Sequence, residues 1–133
     1  MATLNLTSTI SATGLTSDAI SSSVLKSATV STGGIERVLI PATQIVSARG
    51  VLLAYADYAA ASATSSTYVY IKNAGLITCQ LSVIGTTAST ANLDEITLVA
   101  GAWTIFPWRA ATANITLYLA SGTANLVEYG VFN

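Results

Sequence analysis

Apolar and polar residues alternate along much of this chain with the period of two that a half-buried β-strand requires. In Asn114–Ala120, Ile115, Leu117 and Leu119 fall on one side and Thr116 and Tyr118 on the other. Leu76–Ile84 groups Ile77, Cys79, Leu81 and Val83 on one face. Leu4–Thr7, Val24–Thr32, Ile35–Ile40, Ile45–Val46, Val51–Tyr58, Thr67–Lys72, Glu95–Val99, Ala102–Phe106 and Ala124–Phe132 read as further strands. Turn residues punctuate them, among them Gly33-Gly34, Asn73-Ala74-Gly75, Ala100-Gly101 and Ser121-Gly122. The Asn73–Gly75 turn is expected to join Thr67–Lys72 to Leu76–Ile84 as a hairpin. Pro41 and Pro107 are expected to end their strands, because proline cannot donate to a ladder. Ile10–Ser23 reads as an extended arm or loop and Gly85–Asn92 as a polar loop. Ala54–Ala63 alone carries helical propensity. It has no apolar stripe, so it reads as the end of a strand and a loop, with room for a short helical turn.

This spacing gives about eight to ten short strands with no interleaved helices. The expected fold is all-β, an antiparallel two-sheet sandwich, jelly-roll-like or Ig-like. Residues 1–23 are expected to form an extended N-terminal arm or edge strand, and residues 24–133 the sandwich domain. The chain has 133 residues, enough for one such domain.

Charge changes the picture most. Only 8% of residues are charged and the net charge is −1, against about 25% in ordinary domains. A basic footprint for nucleic acid is absent. The mean hydropathy is +0.62, yet no apolar run is long enough for a membrane-spanning helix. Met1–Thr7 lacks the basic and apolar regions of a signal peptide, so synthesis in a cytoplasm is expected. So few charges leave little repulsion between copies, which favours a homo-oligomer.

Candidate chemistry is sparse. The chain has no histidine and one cysteine, Cys79, so it has neither an internal disulfide nor a Cys/His metal set. Cys79 sits between Ile77 and Leu81 in phase and reads as a small buried hydrophobe. Asp94 and Glu95 are strand neighbours that face opposite ways, not a catalytic pair. With Asn92 they are too few oxygen ligands to favour a calcium site. Gly33-Gly34 matches no phosphate loop. An enzyme is not expected, and no cofactor or metal is called for.

The aromatic residues carry what functional signal there is. Trp103–Arg109 holds both tryptophans. One reading has Trp103 and Ile105, or Phe106, plugging the end of the sandwich. The other has Trp108 and Arg109 projecting from a corner beyond Pro107 as interface anchors, Trp and Arg being enriched at binding hot spots. Tyr55, Tyr58, Tyr68 and Tyr70 alternate within two strands and suit either ordinary packing or a subunit contact. The candidate interface is therefore Trp103, Trp108, Arg109, Tyr55, Tyr58, Tyr68 and Tyr70. A sugar-binding platform needs more polar neighbours than these aromatics have.

The opening Met-Ala-Thr-Leu-Asn-Leu-Thr-Ser-Thr-Ile resembles small virion proteins of tailed bacteriophages. So does Tyr68-Val69-Tyr70-Ile71-Lys72-Asn73-Ala74-Gly75 followed by Ile96–Trp108, with Leu98, Gly101 and Pro107 spaced as in that group. The likeness covers residues 67–108 best. It implies a β-sandwich structural component, most closely a capsid decoration (cement) protein, often a trimer seated on the major capsid protein at the virion surface. Tail-tube, tail or fibre components are the next implied class, and a glycan- or receptor-binding module is the alternative from a different class.

Overall fold

The computed structural model describes residues 2–12, 20–30, 33–43, 50–54, 56–58, 67–85, 96–108 and 113–132. Ile45–Val46, Tyr55, Asn92, Asp94, Glu95 and Arg109 lie outside them. Ten strands are present among the described residues: β1 (Ala2–Ala12), β2 (Ile20–Val30), β3 (Gly33–Ile40), β4 (Gly50–Leu53), β5 (Thr67–Asn73), β6 (Cys79–Gly85), β7 (Ile96–Leu98), β8 (Trp103–Trp108), β9 (Ala113–Leu119) and β10 (Asn125–Phe132). The chain divides into two compact units, residues 1–32 and 33–133.

The first unit is an antiparallel ribbon. β1 and β2 pair in unbroken register from Ala2 opposite Val30 to Ala12 opposite Ile20. The expected arm, residues 1–23, therefore differs from what is found. Residues 24–30 pair back on β1 instead of entering the sandwich, so the boundary falls between Thr32 and Gly33. Ser and Thr, abundant in 20–30, are compatible with strand geometry when the opposite positions complete a ladder.

The second unit contains two four-stranded antiparallel sheets, ordered β3-β10-β5-β8 and β4-β9-β6-β7. Each sheet contributes its inward positions to one apolar core. Ile40, Val69, Ile71, Trp108, Val127 and Val131 come from the first, and Leu53, Cys79, Leu81, Leu98, Ile115, Leu117 and Leu119 from the second. The two-sheet sandwich expected from the alternation is thus present. Every consecutive connection crosses between the sheets except β6 to β7, which are neighbours in one sheet. That order is a jelly roll and removes the Ig-like alternative.

Three local expectations are corrected. β5 and β6 are not a hairpin: β5 pairs with β10 and β8, and β6 with β7 and β9. The Asn73–Gly75 turn carries the chain across the sandwich instead. The strand expected over 51–58 ends at Leu53, and residues 56–58 are helical. The alanine-rich composition wins there, with the Asp57 amide donating to the Ala54 carbonyl at 3.2 Å. Pro107 lies within β8, opposite Tyr68. β8 is a sheet edge, where a missing backbone donor costs no ladder bond.

The β5–β6, β7–β8 and β9–β10 crossovers meet at one end around two buried asparagines. Asn73 Nδ2 donates to the carbonyls of Ile77 and Leu98 at 2.8 and 2.9 Å. Its Oδ1 accepts from the Gly75 amide at 3.1 Å and from Asn125 Nδ2 at 2.8 Å. Asn125 Oδ1 accepts the Ile77 amide at 3.0 Å, and its Nδ2 also lies 3.1 Å from Cys79 Sγ. The turn between β7 and β8 joins the same cluster through Gly101, whose φ of 78° suits glycine.

Candidate functional site

The outward positions of the β3-β10-β5-β8 sheet form a continuous face. The register sets them in rows across the four strands. Gly33, Phe132, Tyr68 and Pro107 make one row, and Ile35, Gly130, Tyr70 and Ile105 the next. Arg37, Glu128, Lys72 and Trp103 make the third. Leu39 and Leu126 begin a fourth. Ile35, Leu39 and Trp103 are 61%, 64% and 59% exposed, unusual values for large apolar side chains on a regular sheet. Beyond Leu39 and Leu126 the face runs into a shallow apolar depression of 330 Å³ bordered by Leu76, Ile77 and Ala124.

The other sheet differs. On the outward side of β9, Asn114, Thr116 and Tyr118 are buried, as is Ser82 beside them on β6. Among the described strand residues, the exposed large apolar side chains are Ile35, Leu39 and Trp103 on the first sheet and Val51 alone on the second.

One charged row crosses the apolar face, with Glu128 between Arg37 and Lys72 and paired to the first. Arg37 Nε donates to Glu128 Oε2 at 2.9 Å, and the Tyr70 hydroxyl donates to Oε1 at 3.2 Å. The hydrogen bond from Arg37 holds the Glu128 carboxyl below its ordinary range. Burial first, and then the Glu128 carboxylate, push the Tyr70 phenol up. The Tyr70 ring in turn lies 6.3 Å from that of Trp103, tilted by 39°. Arg37, Glu128, Tyr70 and Trp103 thus hold one another in place.

The expected interface residues part company here. Tyr68, Tyr70 and Trp103 share this face. Trp108 does not: it is 3% exposed and belongs to the core. Pro107 does not turn the chain outward, so Trp108 continues the inward phase of Thr104 and Phe106. Trp103, a plug of the sandwich end in one reading and a candidate interface residue in the other, is the exposed tryptophan. Tyr58 packs against Trp108 from the helical residues 56–58, ring centroids 5.6 Å apart and edge-on at 64°. It belongs to the end of the core rather than to a tyrosine face. Alternation alone did not pick out Ile35, Ile105 and Phe132, because the same period fits either face of a strand until the neighbouring strands are known.

Elsewhere the titratable groups show no catalytic arrangement among the described residues, and no cluster of three or more His, Cys, Asp or Glu side chains is found there. Cys79 is buried, and burial pushes its thiol up, away from the reactive thiolate. On the inward side of β3, the Tyr129 hydroxyl donates to Glu36 Oε2 at 2.7 Å. That hydrogen bond, with burial, pushes the phenol up to about 12. The sign is that of a proton held more tightly when folded: this contribution to stability is present below the ordinary phenol value and disappears as pH rises through about 12. A spectrophotometric phenol titration should therefore show a late-ionising tyrosine that Glu36→Gln moves to lower pH; an unchanged titration would contradict the assignment.

Comparison with known proteins finds no matching family, curated protein or solved structure.

Proposed function

We propose that this protein is a non-catalytic structural subunit of a tailed-phage virion, a decoration protein that docks on the assembled capsid shell through the outer face of its β3-β10-β5-β8 sheet. The observation that carries the reading is that face itself: exposed Ile35, Leu39 and Trp103 among Tyr68, Tyr70, Ile105 and Phe132. Its aromatic and aliphatic centre with a paired arginine has the composition of a protein interface. The mix is poor for a surface left in water, and few charges elsewhere oppose close approach.

Size argues for a repeating partner. Four strands about 4.8 Å apart and rows about 6.6 Å apart give a face of roughly 400 Å². Stable pairwise complexes bury about 800 Å² on each partner. A single such contact is therefore weak, and an ordered lattice that engages several linked copies at once supplies the rest by avidity. Binding only the assembled shell would stabilise it by mass action.

The test is saturation of expanded shells of the encoding phage with purified protein, read as bound copies per shell. A fixed plateau is expected, with at least a ten-fold loss of affinity for Ile35→Asp and for Trp103→Ala. Absence of shell binding, or variants that bind as wild type, would overturn the reading. Trp103 beside Tyr70 and Lys72 favours one other occupant, a sugar ring stacked on the indole. Binding to a neutral glycan array without shell binding would select it.

A further inference from the structure

The third row of the outer face holds one cation more than it has carboxylates. Among the outward positions of β3, β10, β5 and β8, the charged residues are Arg37, Glu128 and Lys72. Two cations and one carboxylate thus sit on the exposed apolar face of a chain whose net charge is −1. Glu128 is already engaged. Its Oε2 accepts from Arg37 Nε at 2.9 Å and its Oε1 from the Tyr70 hydroxyl at 3.2 Å, and its side chain is 14% exposed. Lys72 is its neighbour in register on β5, and the ammonium helps to hold the carboxyl low. Even so, Arg37 alone among the described residues lies within ion-pair distance of Glu128. Glu36 is on the other side of the sheet, bonded to Tyr129.

Placement makes this extra cation consequential. Lys72 is half-buried on an interior strand, with Glu128 on one side and Trp103, at the edge position of the row, on the other. A partner that covers Trp103 on β8 together with Ile35 and Leu39 on β3 spans the row between them and takes Lys72 out of water. In water an ammonium needs no partner. Under a covering surface an unpaired one is costly enough to offset the apolar contacts around it. Lysine heads escape burial by reaching for a rim, but in this row Trp103 stands between Lys72 and the nearer edge of the sheet.

We infer that the surface this face docks on presents a single carboxylate to Lys72, an Asp or Glu side chain set among apolar neighbours. The inference rests on the docking reading and adds to it the chemistry of the partner. A run of phosphates would call for several cations, whereas one cation beside Tyr70 and Trp103 matches one carboxylate. The pair also fixes the seat. A partner displaced along the face would bury the ammonium and the carboxylate apart, and that penalty discriminates against every register but one.

The experiment treats wild-type protein, bound to expanded shells of the encoding phage, with a water-soluble carbodiimide, which joins an amine to a carboxylate in direct contact. The chain has two lysines, Lys26 and Lys72, so peptide mass spectrometry tells their products apart. The expected product is an amide between Lys72 and an Asp or Glu of the shell protein. In parallel, Lys72→Met keeps an unbranched stem and removes the charge. It is expected to lose about 30-fold or more in affinity for shells, the low end for truncating one partner of a buried charge pair. Lys72→Arg, which keeps the charge, should retain most of the affinity, and both variants should keep the near-ultraviolet circular dichroism of wild type. Shells saturated by Lys72→Met at the wild-type concentration would overturn the inference and leave the docking reading standing. Bound wild-type protein with no crosslink at Lys72 would do the same, and that readout needs no variant to fold. Wild-type protein that fails to bind shells would overturn both.

Discussion

Trp108→Ala is expected to destabilise the sandwich by about 3–5 kcal/mol, the range for deleting a buried aromatic side chain. Trp103→Ala is expected to cost only about 1 kcal/mol or less, since it gives up one aromatic contact on the outside of the sheet and no core packing. The contrast follows from placement. Trp108 is 3% exposed, lies opposite Thr67 at the edge of the core, and packs edge-to-face with the Tyr58 ring. Trp103 is 59% exposed and touches Tyr70 across the outside of the sheet. Since domains of this size are stable by only about 5–15 kcal/mol, the Trp108 variant would lose a large share of its margin. Urea unfolding followed by far-ultraviolet circular dichroism measures both. A Trp103 variant that proves the weaker of the two would reverse the assignment of inside and outside along β8. Trp103→Ala should then also serve as a clean probe of docking, because it removes contact area without loosening the fold.

The two tryptophans also show where sequence reasoning reached its limit. The alternation of Ile115, Leu117 and Leu119, and of Cys79 and Leu81, marks the inward side correctly, and with it the sandwich. Those runs are long and their polar partners unambiguous. Around Pro107 the local rule that proline ends a strand pointed the wrong way, because it holds for interior strands and β8 is an edge. Whether a strand is an edge is settled by pairing with residues far along the chain, which no local window contains. The same is true of β5 and β6. Asn73-Ala74-Gly75 has the chemistry of a hairpin turn, yet Asn125 lies 52 residues further on and holds the turn in a crossover. The ribbon was half legible: Leu4 and Leu6 alternate, but Ser21–Ser23 suggest a loop until they are set against Thr9 and Ser11 on the partner strand. The exposed sheet face was legible in its tyrosines and invisible in Ile35 and Phe132, whose neighbours make them part of it.

The proposed docking face answers a physical problem set by composition. A chain with 8% charged residues has little to keep its apolar surface soluble, so large exposed patches are stable only when covered. A face of about 400 Å² binds weakly alone. If several copies engage one ordered lattice at once, the second and third contacts form at high effective concentration.

Asn125→Ala is expected to cost about 3 kcal/mol, and the reason lies in what it strands rather than in what it removes. Asn125 Oδ1 is the acceptor for the Ile77 amide, and Asn125 is 2% exposed, so the substitution leaves that amide without its partner and opens a void. An orphaned buried donor costs about 1–3 kcal/mol, and the cavity adds to it. Asn73 would keep its bonds to Ile77, Leu98 and Gly75 and hold part of the crossover. Gly75→Ala attacks the same contact from the other side. A Cβ there would run into the Asn125 side chain and come within 2.8 Å of the Leu126 amide nitrogen. Such overpacking costs about 1–3 kcal/mol. The two substitutions should not add: with Asn125 shortened to alanine, much of the clash at residue 75 is gone, so the double variant should be more stable than the sum of the single losses predicts by about 1 kcal/mol or more. Urea midpoints of the four proteins complete the cycle. Strict additivity would mean that Gly75 and Asn125 do not meet, and that the end of the sandwich is held by its backbone bonds alone.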